Sequence, residues 1–304
     1  MSVTEATPTA CLSGSGTSLS ANHQDCRLVG SRPRLEVPDA FTAIDARIGL
    51  HGLERDLPYA YFFEPGIAPV QDQAAEALRK GPVPHETFTS FESYAEEMLR
   101  PGYLPVETGW TLFPDGVMGV AVLTRMPGVR AEMWDWWFAW HSEEPQRYRL
   151  WHPEAHMVAH WAQSLPEAPL LDHRERYIGR TSLVREIIGG IDMSLAIRFI
   201  DPDQVGVPAG SFDGTLIYGR TSPVDNPIEG GCLLHQVRNT PDGCEMRSRF
   251  YRNLNPACIG LPAGSPSADA AVRVRGPGLL EHCAQEMNHL GRFLAELHRA
   301  FSKS

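Results

Sequence analysis

Residues 276–301 read GPGLLEHCAQEMNHLGRFLAELHRAF, and the architecture turns on this stretch. Leu279, Cys283, Met287, Leu290, Leu294, Leu297 and Phe301 recur at helical spacing. This predicts one long helix that starts after Gly276-Pro277-Gly278 and runs to about Phe301. A helix with a single apolar stripe must lay that stripe on another layer. The upstream sequence supplies a sheet. VETGWTLFPDGVMGVAVLTRMPG (106–128) places two β-rich runs around Pro114-Asp115-Gly116, a turn-forming triplet, and predicts a hairpin. RYIGRTSLVREIIGG (176–190), IDMSLAIRFIDP (191–202) and GTLIYGRTS (214–222) read as strands, and EGGCLLHQVRNTPDGCEMRSRFYRN (229–253) reads as a second hairpin turning at Pro241-Asp242-Gly243. Strands followed by one long helix imply an α+β chain in which a curved antiparallel sheet grips the C-terminal helix.

Outward from this core, VQDQAAEALRKG (70–81) predicts a helix ending at glycine. Residues 1–57 are rich in Ser, Thr, Ala and Pro without a clear apolar period, so they are expected to form a tail, with a short helix in FTAIDARIGLHGLERDL (41–57). Residues 58–304 are then expected to form a single domain. The segment 132–161 holds six of the seven tryptophans and four of the twelve histidines, and its indoles read as an aromatic core wall.

The formal net charge of -10 disfavours nucleic acid and anionic membrane as partners, since both reward clustered Lys and Arg. A small molecule fits better. The sequence has no apolar run of the ~20 residues that span a bilayer, and the N-terminus lacks the basic start and apolar centre of a secretory signal. The cytoplasm is the expected compartment. The six cysteines are scattered without a CxxC pair, so a metal would have to be held by imidazole and carboxylate.

Three features could carry such chemistry. His282 and Glu286, four positions apart on the final helix, project from one face at the rim of its apolar stripe, although surface His/Glu pairs are common on helices. On the strand 181–189, alternation puts Glu186 with Val184 and Ile188, and Arg185 on the other side with Leu183 and Ile187. A carboxylate among apolar side chains needs a cation, a hydrogen-bond network or a raised pKa; a metal would keep it ionised, and so would a buried arginine such as Arg198 or Arg249. Finally, His152, His156 and His160 recur every four residues; they share a face if the segment is helical, and otherwise form a histidine-rich loop. Spacing alone does not choose among these.

Taken together, YFFEPG (61–66), ETGW (107–110), MWDWWFAWHSEEPQRYRLWHPEAH (133–156), YIGRTSLVREIIGG (177–190), MRSRFY (246–251) and HCAQE (282–286) resemble the diacetylphloroglucinol hydrolases and the related phloretin hydrolases. The resemblance spans about Tyr61 to Phe301. It implies a helix-grip (Bet v 1-like) fold and a zinc ion held by a histidine, a glutamate some thirty residues later and a His-x-x-x-Glu on the last helix. His156, Glu186, His282 and Glu286 reproduce that order, with His141 and Asp172 or Glu175 as the competing alignment. It further implies a pocket using Tyr148, Tyr251 and His235, with Glu186 or Glu286 doubling as proton carrier. The implied reaction is hydrolysis of the bond between an acyl group and a phenol ring. The implied partner is an acylated phenol, with a homodimer left open. A non-haem iron oxygenase and a non-catalytic carrier of phenolic or lipid ligands are the alternatives.

Overall fold

The computed structural model describes residues 37, 41–42, 46–165, 171–226, 228–253 and 266–303. Helices α1 (Asp72–Lys80) and α2 (Tyr94–Leu99) precede strands β1 (Gly109–Leu112) and β2 (Met118–Pro127). Then come α3 (Ala131–Trp140), α4 (Pro145–Tyr148), β3 (His156–Trp161), β4 (Thr181–Ile188), β5 (Ile191–Ile200), β6 (Gly214–Pro223), β7 (Gly231–Thr240) and β8 (Gly243–Arg252). The chain closes with α5 (Pro266–Gly291) and α6 (Leu294–Phe301). Both Pro-Asp-Gly triplets form the expected hairpin turns.

One antiparallel sheet holds all eight strands in the order β1-β2-β8-β7-β6-β5-β4-β3. Helix α5 touches β1 and β2 near one edge and β4 near the other, so the sheet curls around it. This is the expected α+β grip. Period-two alternation divides each strand between two cores. Val120, Val122, Leu195, Phe199, Leu233, Val237, Met246 and Phe250 face inward, onto α3, α5 and α6. Ala121, Leu216, Tyr218, Leu234 and Tyr251 face outward, under a cover that includes Phe88, Phe91, Tyr94 and Met98. The tryptophans of α3 are buried in the inner core, as the aromatic-wall reading requires.

The final helix departs from its expected limits. It starts at Pro266, and Gly276-Pro277-Gly278 lies inside it. The glycines serve close approach: a Cβ on Gly276 would sit 2.5 Å from the Trp110 ring and one on Gly278 2.7 Å from Gly189 Cα. The helix also breaks once, where Arg292 and Phe293 donate to the carbonyls of His289 and Leu290 three residues back. The break lets α6 turn across the indole wall, with Phe301 5.7 Å from Trp140.

Residues 1–36, most of the expected tail, lie outside the described residues. Residues 46–57 dock on the domain. Arg149 Nη1 donates to Gly49 O at 2.9 Å and to Glu54 Oε2 at 2.8 Å, and Gly52–Asp56 forms a short 3-10 helix.

Candidate metal centre and cavity

Two local rules and one packing event assemble the centre. The β3–β4 register sets His156 directly opposite Glu186, so their side chains are cross-strand neighbours. On α5 the four-residue spacing sets His282 beside Glu286. Packing of α5 inside the curl then brings the pairs together. His156 Nε2 lies 3.2 Å from His282 Nε2, 3.3 Å from Glu186 Oε2 and 3.4 Å from Glu286 Oε2. His282 Nε2 lies 3.2 Å from Glu186 Oε2 and 3.9 Å from Glu286 Oε2. All four residues are buried.

These distances fit a metal. Tetrahedral bonds of ~2.0–2.1 Å put neighbouring donor atoms roughly 3.3–3.4 Å apart, close to most of the separations seen here. The donor atoms of His156, His282 and Glu286 all lie within 4.8 Å of one another, and Glu186 touches both histidines. The first histidine is also oriented for the task. His156 Nδ1 is 3.1 Å from Tyr148 O, and because a carbonyl only accepts, Nδ1 is the protonated nitrogen and Nε2 is left for the cluster.

Charge makes the same demand. Among the described residues no Lys or Arg pairs with Glu186 or Glu286, so the two buried carboxylates have imidazoles alone as ion-pair partners. Without another cation the cluster keeps a proton: burial opposes charge on His156, but bonding to Glu186 and Glu286 prevails and lifts its pKa to about 9. Burial likewise opposes charge on Glu186, and its bonds to His156 and His282 hold it well below the usual carboxylate range. Tyr148 stacks on His156 at 3.8 Å and donates its hydroxyl to Glu186 Oε2 at 2.8 Å. Burial, with the charges of Glu186 and Glu286 added, keeps that hydroxyl protonated.

The cluster borders a cavity between the sheet and the helices. Tyr148, Glu186, His235, His282 and Glu286 line it, among apolar walls from Phe138, Val184, Phe199 and Phe250. A second opening shares Ile188, Leu195, Thr221, Arg252 and Leu279 with it and continues toward the β4–β5 hairpin. Val184, Glu186 and Ile188 all line the cavity, while Arg185 points away and pairs with Asp192 at 2.8 Å.

Three expectations need correction. Residues 156–160 are not helical: His156 opens β3, because the segment pairs with β4, and His160 stays outside the cluster. His152 sits in the preceding turn with its ring stacked on His282 at 4.9 Å. Tyr251 is not in the pocket. It occupies an outward position of β8, where its hydroxyl donates to Thr89 O at 2.8 Å, and Phe250 faces the cavity instead. Counting in twos from the apolar Met246 would have found Phe250. The competing ligand set does not assemble, since Asp172 and Glu175 cap each other's backbone in an exposed turn, whereas His141 is buried in the cavity wall.

Residues 90–299 match the model of the DAPG hydrolase PhiG domain. The chain belongs to this family. A 2,4-diacetylphloroglucinol hydrolase of Pseudomonas protegens is 30% identical over 266 residues, covering 81% of this chain and 85% of that protein. A phloretin hydrolase of Eubacterium ramulus is 25% identical over 265 residues, covering 83% and 93%. Solved structures are far more distant. Protein Ms6760 of Mycobacterium smegmatis aligns at 11% identity with a TM-score of 0.34, over 62% of this chain and 96% of that one. The major latex-like protein 151 of Panax ginseng aligns at 10% identity with a TM-score of 0.32, over 57% and 98%. Likenesses of that size say nothing about this family member's chemistry.

Proposed function

We propose that the chain is a zinc-dependent hydrolase that cleaves the carbon–carbon bond between an acyl group and a phloroglucinol-type ring, releasing the deacylated phenol and a carboxylic acid. The observation that carries this reading is the convergence of His156, Glu186, His282 and Glu286 at the wall of a largely apolar cavity. These four residues would hold the ion. Bound there, zinc would supply a Lewis acid able to polarise a carbonyl and lower the pKa of water.

The bond is hard to break because an aryl carbanion is a poor leaving group. Protonation of the ring carbon that bears the acyl group gives a ketone-like tautomer when hydroxyls flank that carbon. Water adds its oxygen to the acyl carbon, the carbon–carbon bond breaks, and its electron pair returns to the ring as an enolate that becomes the phenol. We assign the ring proton to Glu186 or Glu286, of which Glu186 is the one in contact with the Tyr148 hydroxyl. Its neighbour Tyr148 remains a hydrogen-bond donor. His235, kept neutral by burial with its pKa down at about 3, is placed to hold a ring hydroxyl. The apolar walls match the apolar faces of such a ring.

We place the reaction in one domain covering residues 58–304, acting in the cytoplasm. Among the described residues no helix is long and apolar enough to cross a membrane. The test is incubation of the purified, zinc-loaded protein with mono- and diacylated phloroglucinols, in labelled water and without dioxygen. Cleavage that continues anaerobically, with the label in the acid, supports the hydrolase. Strict oxygen dependence would replace it with an iron oxygenase, and binding without any product would leave a carrier.

A further inference from the structure

His141 lies in the cavity wall beyond Tyr148, outside the metal cluster. Its ring stacks on Trp137 at 5.3 Å and on Tyr148 at 5.7 Å, and it is 2% exposed. Nδ1 is 2.8 Å from Trp137 O. A carbonyl cannot donate, so Nδ1 carries the ring proton and Nε2 is a bare acceptor. Among the described residues Nε2 has no hydrogen-bond partner. Burial keeps the imidazole neutral, with its pKa down at about 3.

The position of this acceptor defines the cavity's two ends. Ser182 and Glu186 share the inner face of β4, and four residues at 3.3 Å each separate them by roughly 13 Å. Glu186 marks the metal end. Ser142, next to His141, has its Oγ 2.8 Å from Ser182 Oγ, and the His141 ring is separated from His156 by the Tyr148 ring, so His141 stands one aromatic layer beyond the metal end. Phe138, Val184 and Phe199 also line the cavity, so a ligand that fills it and excludes water must itself donate to this acceptor or leave it unmet at a cost.

We propose that His141 is a substrate-binding residue whose Nε2 accepts a hydrogen bond from the ring hydroxyl opposite the acyl group. Resting on the phenol reading above, this makes a free hydroxyl at that position a specificity requirement that the metal cluster cannot impose. A ligand whose acyl group reaches Glu186 and His282 directs its opposite edge toward His141, and a ring O–H is the donor that fits a neutral imidazole lone pair.

The experiment compares 2,4,6-trihydroxyacetophenone with its analogue lacking the hydroxyl opposite the acyl group, on the full zinc-loaded chain. Binding is followed by calorimetry, KM by turnover and metal content by elemental analysis. The wild type should prefer the trihydroxy ligand about tenfold, the scale of one neutral hydrogen bond. His141→Phe keeps a stacking ring without an acceptor, and should hold its zinc while that preference falls to near one. His141→Gln, with an amide oxygen able to accept, should restore part of it. A wild type with no preference, or a zinc-loaded His141→Phe that keeps it, overturns the assignment even if cleavage proceeds. A preference in binding that His141→Phe abolishes, with neither ligand cleaved, upholds His141 and removes the hydrolase instead. Failure of the wild type to bind either ligand removes both.

Discussion

On the outer face of the sheet Glu107 is held by two arginines, Arg247 at 2.6 Å and Arg249 at 2.7 Å, whereas on the inner face, among the described residues, Glu186 and Glu286 have imidazoles alone as ion-pair partners. Both faces bury carboxylates, but they resolve the charge differently. Permanent guanidinium partners make the outer cluster complete without a ligand. Imidazoles can give up their protons, so the inner cluster can exchange protons for a metal ion. The difference separates a structural ion pair from a site, although the two stand on opposite faces of one sheet.

The largest way to break the comparison is on the final helix. His282→Ala and Glu286→Ala should each empty or loosen the metal site and lower turnover by at least ~100-fold. Elemental analysis and product assays check this, and full zinc with unchanged turnover in both variants would remove them as ligands.

Glu107→Gln should do the opposite, leaving zinc content intact while stability falls by about 3 kcal/mol in denaturant titrations, because two buried guanidiniums lose their counter-ion. Burial of Glu107 opposes its charge, but Arg247 and Arg249 prevail and hold its pKa below the usual carboxylate value of 4.5. A depressed folded pKa contributes stability that is present above that value and lost as pH falls through the folded pKa. The wild type should therefore lose this contribution below about pH 4.5, and Glu107→Gln should show a flatter acid limb. An identical pH profile in both proteins would contradict the pairing.

A smaller effect should come from Tyr148→Phe, which keeps the ring stacked on His156 but removes the donor to Glu186. Zinc affinity or turnover should drop roughly 10–100-fold, as is usual for groups that orient metal ligands. Unchanged values would reduce Tyr148 to a packing residue.

The smallest effects sharpen the face assignments. Tyr251→Phe should cost about 1 kcal/mol through the lost bond to Thr89 O and leave zinc binding alone. Arg185→Gln should stay within about 0.5 kcal/mol, since Arg185 is half-exposed and its partner Asp192 is too. Loss of metal in Arg185→Gln but not in Glu186→Gln would mean that β4 is set in the opposite register.

Much of this was legible in local pattern. Alternation put Glu186 on the apolar side of its strand, helical spacing set His282 beside Glu286, and two Pro-Asp-Gly triplets fixed hairpins. The same alternation, applied to β8, would also have turned Tyr251 outward. Other features were not legible. Gly276-Pro277-Gly278 has the look of a helix start, and only the close approach of Trp110 and Gly189 explains why it lies inside one. His141 stood in the sequence only as a competing metal ligand, because its place in the wall depends on a carbonyl one turn back and on the cavity in front of it.

The sequence alone therefore determined the elements, their buried faces and the short-range pairing of candidate donors, because periods of 2 and 3.6 residues are properties of neighbouring positions. Only the tertiary structure decided that β3 meets β4 with His156 opposite Glu186, and that the curl of the sheet delivers His282 and Glu286 to the same point. Register joins residues well separated along the chain and packing joins residues as far as 126 positions apart, and no local period specifies which distant partners will share a buried charge.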